Sequence, residues 1–209
     1  MELAIFTALK PAKGLAGEIQ VRSLENWRTV FYGATIVEFG GPLLPFKKMV
    51  EDVERDSEVE ILMYANADIL FDKERILRLW QSWNGQCPPI LSGDFLLTGQ
   101  RIDVLKDGSK QLHRPSGMDY FIFKRGMFRD LPKVTMGRAY CDNALVVHCL
   151  RRNIPVIDAS FALRVEHQFH DYGHVAGGRS SVWHGEEAMA NKRDNGADIR
   201  ISGSHVFRH

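Results

Sequence analysis

The feature of this sequence that most constrains its fold is a repeated alternation between short apolar runs and helical patterns. The apolar runs extend from Leu3 to Leu9, from Thr35 to Phe39 and from Glu60 to Phe71, and each is typical of a buried strand. After each run, apolar residues recur three and four positions apart, as in an amphipathic helix. This alternation predicts an α/β fold with a mostly parallel central sheet flanked by helices.

Caps and turns limit the three helices of this first half. The first helix is predicted over Glu18 to Phe31, and the second from Phe46 to about Asp56. Asp72 is a candidate N-cap for the third helix, which Asn84-Gly85 closes.

The second half of the sequence predicts a smaller, mixed part of the fold. Strands are expected over Ile90 to Thr98 and Met118 to Phe123, around a polar loop from Lys106 to Pro115. A helix is expected from Asp142 to Arg152. The last predicted strands are Pro155 to Ala159 and Leu163 to His167. Beyond Tyr172 the chain is rich in Gly, Ser, His and charge, and we expect a loosely ordered tail.

Composition excludes several classes of function. Lys and Arg number 27 against 26 Asp and Glu, so the chain lacks the broad positive charge of a typical nucleic-acid binder. No apolar run approaches the ~18 residues of a membrane span, and the first ten residues do not resemble a secretory signal. The three cysteines, Cys87, Cys141 and Cys149, lack zinc or redox spacing. These observations predict reduced thiols and a cytoplasmic protein.

The segment Asn66-Ala67-Asp68 is the first candidate for a binding site. It follows a hydrophobic strand, and ligands of open α/β sheets bind where parallel strands end. In an extended chain, Asn66 and Asp68 face the same side while Ala67 points aside. A carboxylate at this position suits Mg²⁺ or Mn²⁺. The alternative is a simple turn, because Asn and Asp are common turn residues.

Histidines form the second candidate. The segment HQFHDYGH contains His167, His170 and His174, and neutral imidazole is a common metal ligand and a general base near neutral pH. No cysteine accompanies them, which argues against a structural zinc site. One of these histidines could join Asp68 on a divalent cation. The alternative is that the imidazoles only cap the ends of strands.

Two further carboxylates have both a structural and a chemical interpretation. Asp142 begins a predicted helix, where it is either an N-cap or a base that deprotonates a hydroxyl. Asp119 precedes a strand and is either structural or a ligand of a polar substrate. The sequence contains neither GxxxxGK[ST] nor GxGxxG, which argues against a P-loop kinase and a Rossmann dehydrogenase.

Taken in order, these motifs resemble a known family. Thr7 lies in the first strand, Glu38 ends the second and the Asn-Ala-Asp triad ends the third; then come GMDYFIFKRGMF, GRAYCDNALVVHCLRRNIPVIDAS and VEHQFHDYGH. This set, from Leu3 to His174, resembles the GT-A fold of nucleotide-sugar-dependent glycosyltransferases. The resemblance implies one domain over residues 1–175, with a nucleotide-binding half up to about residue 100 and an acceptor-side half after it. Residues 176–209 would form a tail that packs on or near the site.

The resemblance also implies roles for individual residues. Thr7 and Glu38 would line the base and ribose pocket, with Lys10 near the phosphates. Asn66 would contact the ribose or a metal-bound water. The donor-binding residues implied are Thr7, Leu9, Lys10, Glu38, Asn66, Ala67, Asp68 and Asp94. The implied metal ligands are Asp68 with His170 or His167, and the implied catalytic residues are Asp142, facing the acceptor hydroxyl, and Asp119, beside the sugar with Asp94.

One position departs from the family pattern. The first residue of the triad is Asn66 rather than Asp, which removes one negative charge from the predicted Mn²⁺ or Mg²⁺ site. The predicted activity is transfer of a hexosyl or deoxyhexosyl group from a UDP-sugar to a hydroxyl of a glycan or other acceptor. The departure at Asn66 favours an alternative, a non-catalytic nucleotide-sugar-binding module.

A nucleotidyltransferase is the other alternative, although LKPAKGLAG is a poor version of the Gly-rich basic loop such enzymes use. A hydrolase built on the histidines ranks last, since most of its ligands would come from one loop. Inversion or retention at the anomeric carbon stays open: Asp142 as a base favours inversion, and a site without a base favours retention. The chain is also compatible with one module of a longer protein.

Overall fold

The computed structural model describes residues 2–11, 14–41, 43–82, 92–171 and 175–195. The strands are β1 (Leu3–Leu9), β2 (Thr35–Gly40), β3 (Ile61–Ala65), β4 (Ile69–Phe71), β5 (Leu96–Gln100), β6 (Ile102–Val104), β7 (Lys110–Leu112), β8 (Met118–Lys124), β9 (Val156–Asp158) and β10 (Val165–His167). The helices are α1 (Gly14–Val30), α2 (Phe46–Asp56), α3 (Lys73–Ser82), α4 (Cys141–Arg151), α5 (Gly178–His184) and α6 (Glu186–Asn195). The predicted α/β class is confirmed.

Six strands form the main sheet in the order β2-β1-β3-β8-β5-β9. The strand β8 runs antiparallel to β3 and β5, and the other neighbours pair in parallel, so the sheet is mostly parallel as predicted. The inner strands are apolar on both faces because helices cover both sides. Phe6 packs with Phe46 of α2 on one face, while Trp27 of α1 packs with Phe71 on the other. All parallel strands end at one edge, which we call the carboxyl edge.

The predicted third strand, Glu60 to Phe71, is wrong as a single element. It consists of β3 in the main sheet and β4 in a second sheet of order β4-β10-β6-β7. The two strands separate because residues 66–68 form a turn, in which the N–H of Ile69 donates to the carbonyl of Asn66 at 3.3 Å. The predicted polar loop is also partly wrong, since β7 lies within it and pairs with β6. Of the four strands predicted for the smaller mixed part, only β10 lies in this second sheet, while β5, β8 and β9 lie in the main sheet.

The expectation of a loosely ordered tail is wrong for residues 178–195, which form α5 and α6. Tertiary contacts outweigh the polar composition here. The buried side chain of Asn191 accepts the N–H of Thr135 at 2.8 Å and donates to its carbonyl at 2.9 Å. The side chains of Val182 and Ala188 are buried as well. Residues 196–209 lie outside the described residues, and the domain boundary near residue 175 stays a prediction.

The N-cap predicted for the third helix is confirmed, because the N–H of Arg75 donates to Asp72 Oδ1 at 3.2 Å.

Among the described residues, no helix has both the length and the apolar character to cross a bilayer.

Candidate functional site

A cavity of about 560 Å³ opens at the carboxyl edge of the main sheet. Its walls come from the end of β1, the turn after β3, the starts of β8 and of the loop after β5, the end of β10, and the segment before α4. Residues of α5 and α6 complete it on the side away from the sheet. Polar side chains from widely separated parts of the sequence therefore meet at the position where open α/β sheets bind ligands.

Three side chains gather around the Asp68 carboxylate, and together these four residues form what we call the Asp68 cluster: Lys10, Asp68, His167 and His170. The Lys10 ammonium contacts Asp68 Oδ2 directly. The Nε2 atoms of His170 and His167 lie 3.1 Å and 3.6 Å from the same oxygen. The second oxygen, Oδ1, is buried and has no hydrogen-bond partner among the described residues. One oxygen of Asp68 is thus crowded and the other is available.

Charge explains why this buried carboxylate stays ionised. Burial alone would favour the protonated acid, but Lys10 and the two histidines outweigh it and hold the pKa of Asp68 well below its usual range. Burial of the His167 ring disfavours the imidazolium, but the Asp68 carboxylate outweighs this effect and raises the pKa of His167. The cluster is therefore a strongly coupled group of charges rather than a set of independent residues.

Strand pairing brings the late histidines to the early carboxylate. The strand β10 runs antiparallel to β4, with His167 opposite Ile69. The N–H of Gln168 donates to the carbonyl of Asp68 at 2.9 Å, which fixes the two segments side by side. The buried Gln168 side chain donates to Ser23 Oγ of α1 at 2.9 Å, so a helix of the first half anchors the last strand.

The same helix fixes the backbone of Lys10. The buried side chain of Gln20 accepts the N–H of Lys10 at 2.5 Å and donates to its carbonyl at 3.2 Å. These two hydrogen bonds replace the sheet pairing that ends with β1. The side chain of Lys10, by contrast, keeps 24% of its surface exposed.

A second group of charges, the Asp119 network, lies beside the first and contains Asn66, Arg101, Asp103 and Asp119. Asn66 Nδ2 donates to Asp119 Oδ1 at 2.7 Å. Arg101 Nη1 donates to both oxygens of Asp119, at 3.1 Å and 3.2 Å, and its Nε donates to Asp103 at 2.8 Å. Tyr64 donates to Asn66 Oδ1 at 3.1 Å, so the amide of Asn66 is held from both ends.

The turn interpretation of the triad is therefore confirmed, and its role in binding stays a prediction. The residues form a turn, and Asn66, Ala67 and Asp68 all line the cavity. Asn66 faces Asp119 while Asp68 faces Lys10 and the histidines, so the two side chains serve different groups.

Asp142 lies in the first turn of α4 rather than at its N-cap, which is Tyr140 in a left-handed conformation with φ of 68°. Its Oδ1 accepts the N–H of Asn143 at 2.9 Å. Burial raises the pKa of Asp142 to about 7, and the nearby Asp119 carboxylate adds to the rise. The cavity wall includes residues 136–138 just before α4 but not Asp142 itself.

Several residues implied by the resemblance lie elsewhere. Thr7 is buried and pairs across the sheet with Glu38, which forms an ion pair with Arg28 at 2.9 Å. Neither Thr7 nor Glu38 lines the cavity, although Leu9 does. Asp94 precedes β5 and therefore lies at the edge of the sheet opposite the carboxyl edge. His174 lies outside the described residues.

The donor set fits a divalent cation. One ligand atom each from Asp68, His167 and His170 lies within 4.8 Å of the others, and the unpartnered Asp68 Oδ1 is available as a further ligand. Carboxylate oxygen suits Mg²⁺ and Mn²⁺ and imidazole suits first-row transition metals, so the mixed set fits a divalent transition-metal ion. These residues would hold the ion.

Sequence reasoning missed Arg101, Tyr64 and Arg138, all of which line the cavity. Arg101 could have been found by the rule that identified the triad, since it follows directly on the apolar strand β5. Arg138 could not, because its position depends on the loop before α4.

No family model and no curated protein matches this chain. Several solved structures are similar to it. A fragment of S. aureus TarS in complex with UDP-GlcNAc is 11% identical, with a TM-score of 0.48 over 83% of this chain and 60% of that one, so this chain spans about 60% of its length. A candidate nucleotide-diphospho-sugar transferase from Desulfovibrio desulfuricans G20 is 12% identical, with a TM-score of 0.47 over 93% and 95% of the two chains.

A glycosyltransferase involved in the glycosylation of the major capsid of PBCV-1 is 11% identical, with a TM-score of 0.39 over 75% of this chain and 70% of that one. At identities and TM-scores this low, the likenesses carry no conclusion about activity, which has to come from the residues of the site.

Proposed function

We propose that this protein is a glycosyltransferase that transfers a sugar from a UDP-sugar to a hydroxyl of a glycan or other acceptor. The observation that carries the proposal is the Asp68 cluster at the carboxyl edge. It combines a buried carboxylate, two imidazoles and an ammonium in a cavity whose volume, about 560 Å³, suits a nucleotide-sized ligand.

The charges around the cavity support binding of a diphosphate. Lys10 and Arg138 line it, Arg101 lines it too but is paired with Asp103 and Asp119, and Arg138 Nε is buried without a hydrogen-bond partner among the described residues. A buried, unpaired guanidinium nitrogen is costly, and an anionic ligand would satisfy it. We assign Lys10 to the diphosphate, and Leu9 and Ala67 to the nucleoside side of the cavity. The roles of Thr7 and Glu38 at the base and ribose stay predictions.

Leaving-group stabilisation is the chemistry we assign to the Asp68 cluster. A divalent cation, Mn²⁺ or Mg²⁺, would supply Lewis-acid neutralisation of the charge that develops on the diphosphate as its bond to the anomeric carbon breaks. Asp68, His167 and His170 would hold this ion.

We assign the acceptor hydroxyl to Asp142, which does not line the cavity itself but follows the lining residues 136–138 and lies near the lining residue Asp119. A carboxyl with a pKa of about 7 can accept a proton at neutral pH and is a stronger base than an ordinary aspartate. Deprotonation by Asp142 with direct attack would invert the anomeric centre. Asp119 is engaged by Arg101 and Asn66, and we assign it to holding these groups beside the sugar.

A non-catalytic nucleotide-sugar-binding module is the second candidate. Two observations favour it: Asn66 replaces a carboxylate and is held by Tyr64 and Asp119, and Lys10 already neutralises Asp68.

Two measurements test the proposal. In a thermal-shift series, UDP with Mn²⁺ should raise the melting temperature more than UTP with Mn²⁺; a preference for UTP would instead indicate nucleotidyl transfer. In a second assay, slow hydrolysis of a UDP-sugar should occur with the wild type and disappear with Asp68→Ala. Binding of UDP without any turnover by the wild type would support the binding module and contradict the transferase.

A further inference from the structure

The ammonium of Lys10 lies inside the set of atoms proposed to bind the metal ion. It contacts Asp68 Oδ2 and lies 3.3 Å from His170 Nε2, which is itself 3.1 Å from the same Asp68 oxygen. Two proposed ligand atoms therefore already share a cation that belongs to the protein.

Electrostatics makes this cation a competitor for a metal ion. The neighbouring position of the triad is the neutral Asn66, so Asp68 is the only carboxylate among the three ligands proposed. An ammonium and a divalent ion on the same carboxylate repel each other strongly in a poorly hydrated site. Displacing Lys10 without giving it another partner would leave a positive charge unpaired beside the metal.

Lys10 has the freedom to leave. Gln20 fixes its backbone, but its side chain is 24% exposed and lines the cavity, so the ammonium can move without any change in β1. The diphosphate of the proposed donor would offer the negative charge that the ammonium loses on leaving Asp68.

We infer that Lys10 is an internal counter-ion that keeps divalent metal off Asp68 until a nucleoside diphosphate binds and draws the ammonium away. This inference rests on the proposed function. It makes metal and nucleotide binding strongly cooperative, and by linkage each ligand should tighten the other by the same factor.

The test compares Mn²⁺ affinity, measured by electron paramagnetic resonance of free Mn²⁺, for three proteins with and without UDP. The proteins are the wild type, Lys10→Met and Lys48→Met; the last removes an equal charge from the exposed face of α2. Methionine sulfur is a poor ligand for Mn²⁺, so the substitution adds no donor. Circular dichroism checks folding, and Lys10→Leu, which also adds no donor, replaces Lys10→Met if Lys10→Met does not fold.

Without UDP, Lys10→Met should bind Mn²⁺ at least about tenfold more tightly than the wild type and Lys48→Met. The increase in Mn²⁺ affinity on addition of UDP should be correspondingly smaller in Lys10→Met than in the wild type. Equal Mn²⁺ affinity of wild type and Lys10→Met without UDP would overturn the inference while leaving the metal-assisted transferase intact. Absence of Mn²⁺ binding in all three proteins, with UDP still bound, would overturn the inference and the metal assignment together. Absence of UDP binding as well would overturn the proposed function.

Discussion

Asp68 and Asp119 are two buried carboxylates at the same edge of the main sheet, and they are neutralised in different ways. Both oxygens of Asp119 accept hydrogen bonds from Arg101, and one also accepts the amide of Asn66. At Asp68, one oxygen is shared by Lys10 and two histidines, while the other has no partner among the described residues. The first carboxylate is saturated and the second is not.

The difference separates a structural role from a binding role. A carboxylate that is fully hydrogen-bonded to a guanidinium holds neighbouring elements in place and has little capacity for a ligand. A carboxylate with one unpaired oxygen and movable partners can bind a further ligand. Leaving that buried oxygen unpaired lowers the stability of the fold. We therefore expect substitutions at Asp119 to affect mainly folding, and substitutions at Asp68 to affect mainly function.

The largest effect expected is loss of transfer in Asp68→Asn. Removal of the charged ligand should lower the rate of sugar transfer by about 1000-fold, because neutralisation of the leaving group depends on it. The measurement is release of UDP from a UDP-sugar at saturating Mn²⁺. Asp52→Asn, which removes a carboxylate from the outer face of α2, is the control and should keep full activity. Activity of Asp68→Asn close to that of the control would remove Asp68 from the site.

The second prediction concerns stability. Asp119→Asn should lower the free energy of unfolding by about 3 kcal/mol, because it leaves a buried guanidinium without its main partner. Asp68→Asn should cost about 1 kcal/mol, since the partly exposed Lys10 can regain water. Urea denaturation at pH 7 measures both. Equal losses in the two variants would show that the carboxylates do not differ as described.

The third prediction uses the pH dependence of Asp142. Its pKa is about 7 in the folded protein and near 3.8 when unfolded, so the folded state binds the proton more tightly and stability falls as the pH rises from about 4 to about 7. Asp142→Asn has no carboxyl at this position and should not lose stability over this pH range. Relative to the wild type, Asp142→Asn should therefore be about 4 kcal/mol more stable at pH 8 than at pH 4, while sugar transfer falls by about 100-fold.

Thermal melts across this pH range and nucleotide titrations provide the measurement. Nucleotide binding should be unchanged in Asp142→Asn. If the stability difference between the two proteins does not vary with pH, the pKa of Asp142 is not raised in the folded protein. If Asp142→Asn retains sugar transfer, Asp142 is not the base.

The smallest effect expected is at the anchor of the last strand. Ser23→Ala removes the hydroxyl that accepts the Gln168 side chain, which should cost about 1 kcal/mol of stability and weaken Mn²⁺ binding severalfold in the presence of UDP. Thr29→Ala, on the exposed side of the same helix, is the matched control and should change neither quantity measurably. Unaltered Mn²⁺ binding in Ser23→Ala would show that β10 keeps its histidines in place without this anchor.

The sequence predicted the elements that hydrophobic periodicity determines. The strand β1 has the predicted bounds, and α2 matches the spacing of Phe46, Met49, Val50 and Val53. Periodicity could not divide the run from Glu60 to Phe71, because the triad interrupts it with a turn that sends its two parts to different sheets. Composition likewise failed for α5 and α6, whose order comes from contacts with the loop before α4.

For the site, local sequence placed Asp68 at the end of a strand and the histidines in one late segment, and the family resemblance selected His167 and His170 as partners of Asp68. It could not show that Lys10 contacts Asp68 or that Arg101 saturates Asp119, since these pairs join residues 58 and 18 positions apart. Such contacts depend on strand order, and strand order depends on the whole chain. The separation of Asp94 from the carboxyl edge has the same cause.

The most direct test of the central claim is electron–nuclear double resonance on the complex of this protein with Mn²⁺ and UDP. If the Asp68 cluster binds the metal and the nucleotide together, the spectrum should contain ¹⁴N couplings from the imidazoles of His167 and His170 and ³¹P couplings from the diphosphate. The ¹⁴N couplings should fall when either histidine is replaced by glutamine. A spectrum with ³¹P couplings alone, unchanged in these variants, would show that the metal is bound by the nucleotide and that the Asp68 cluster does not bind it.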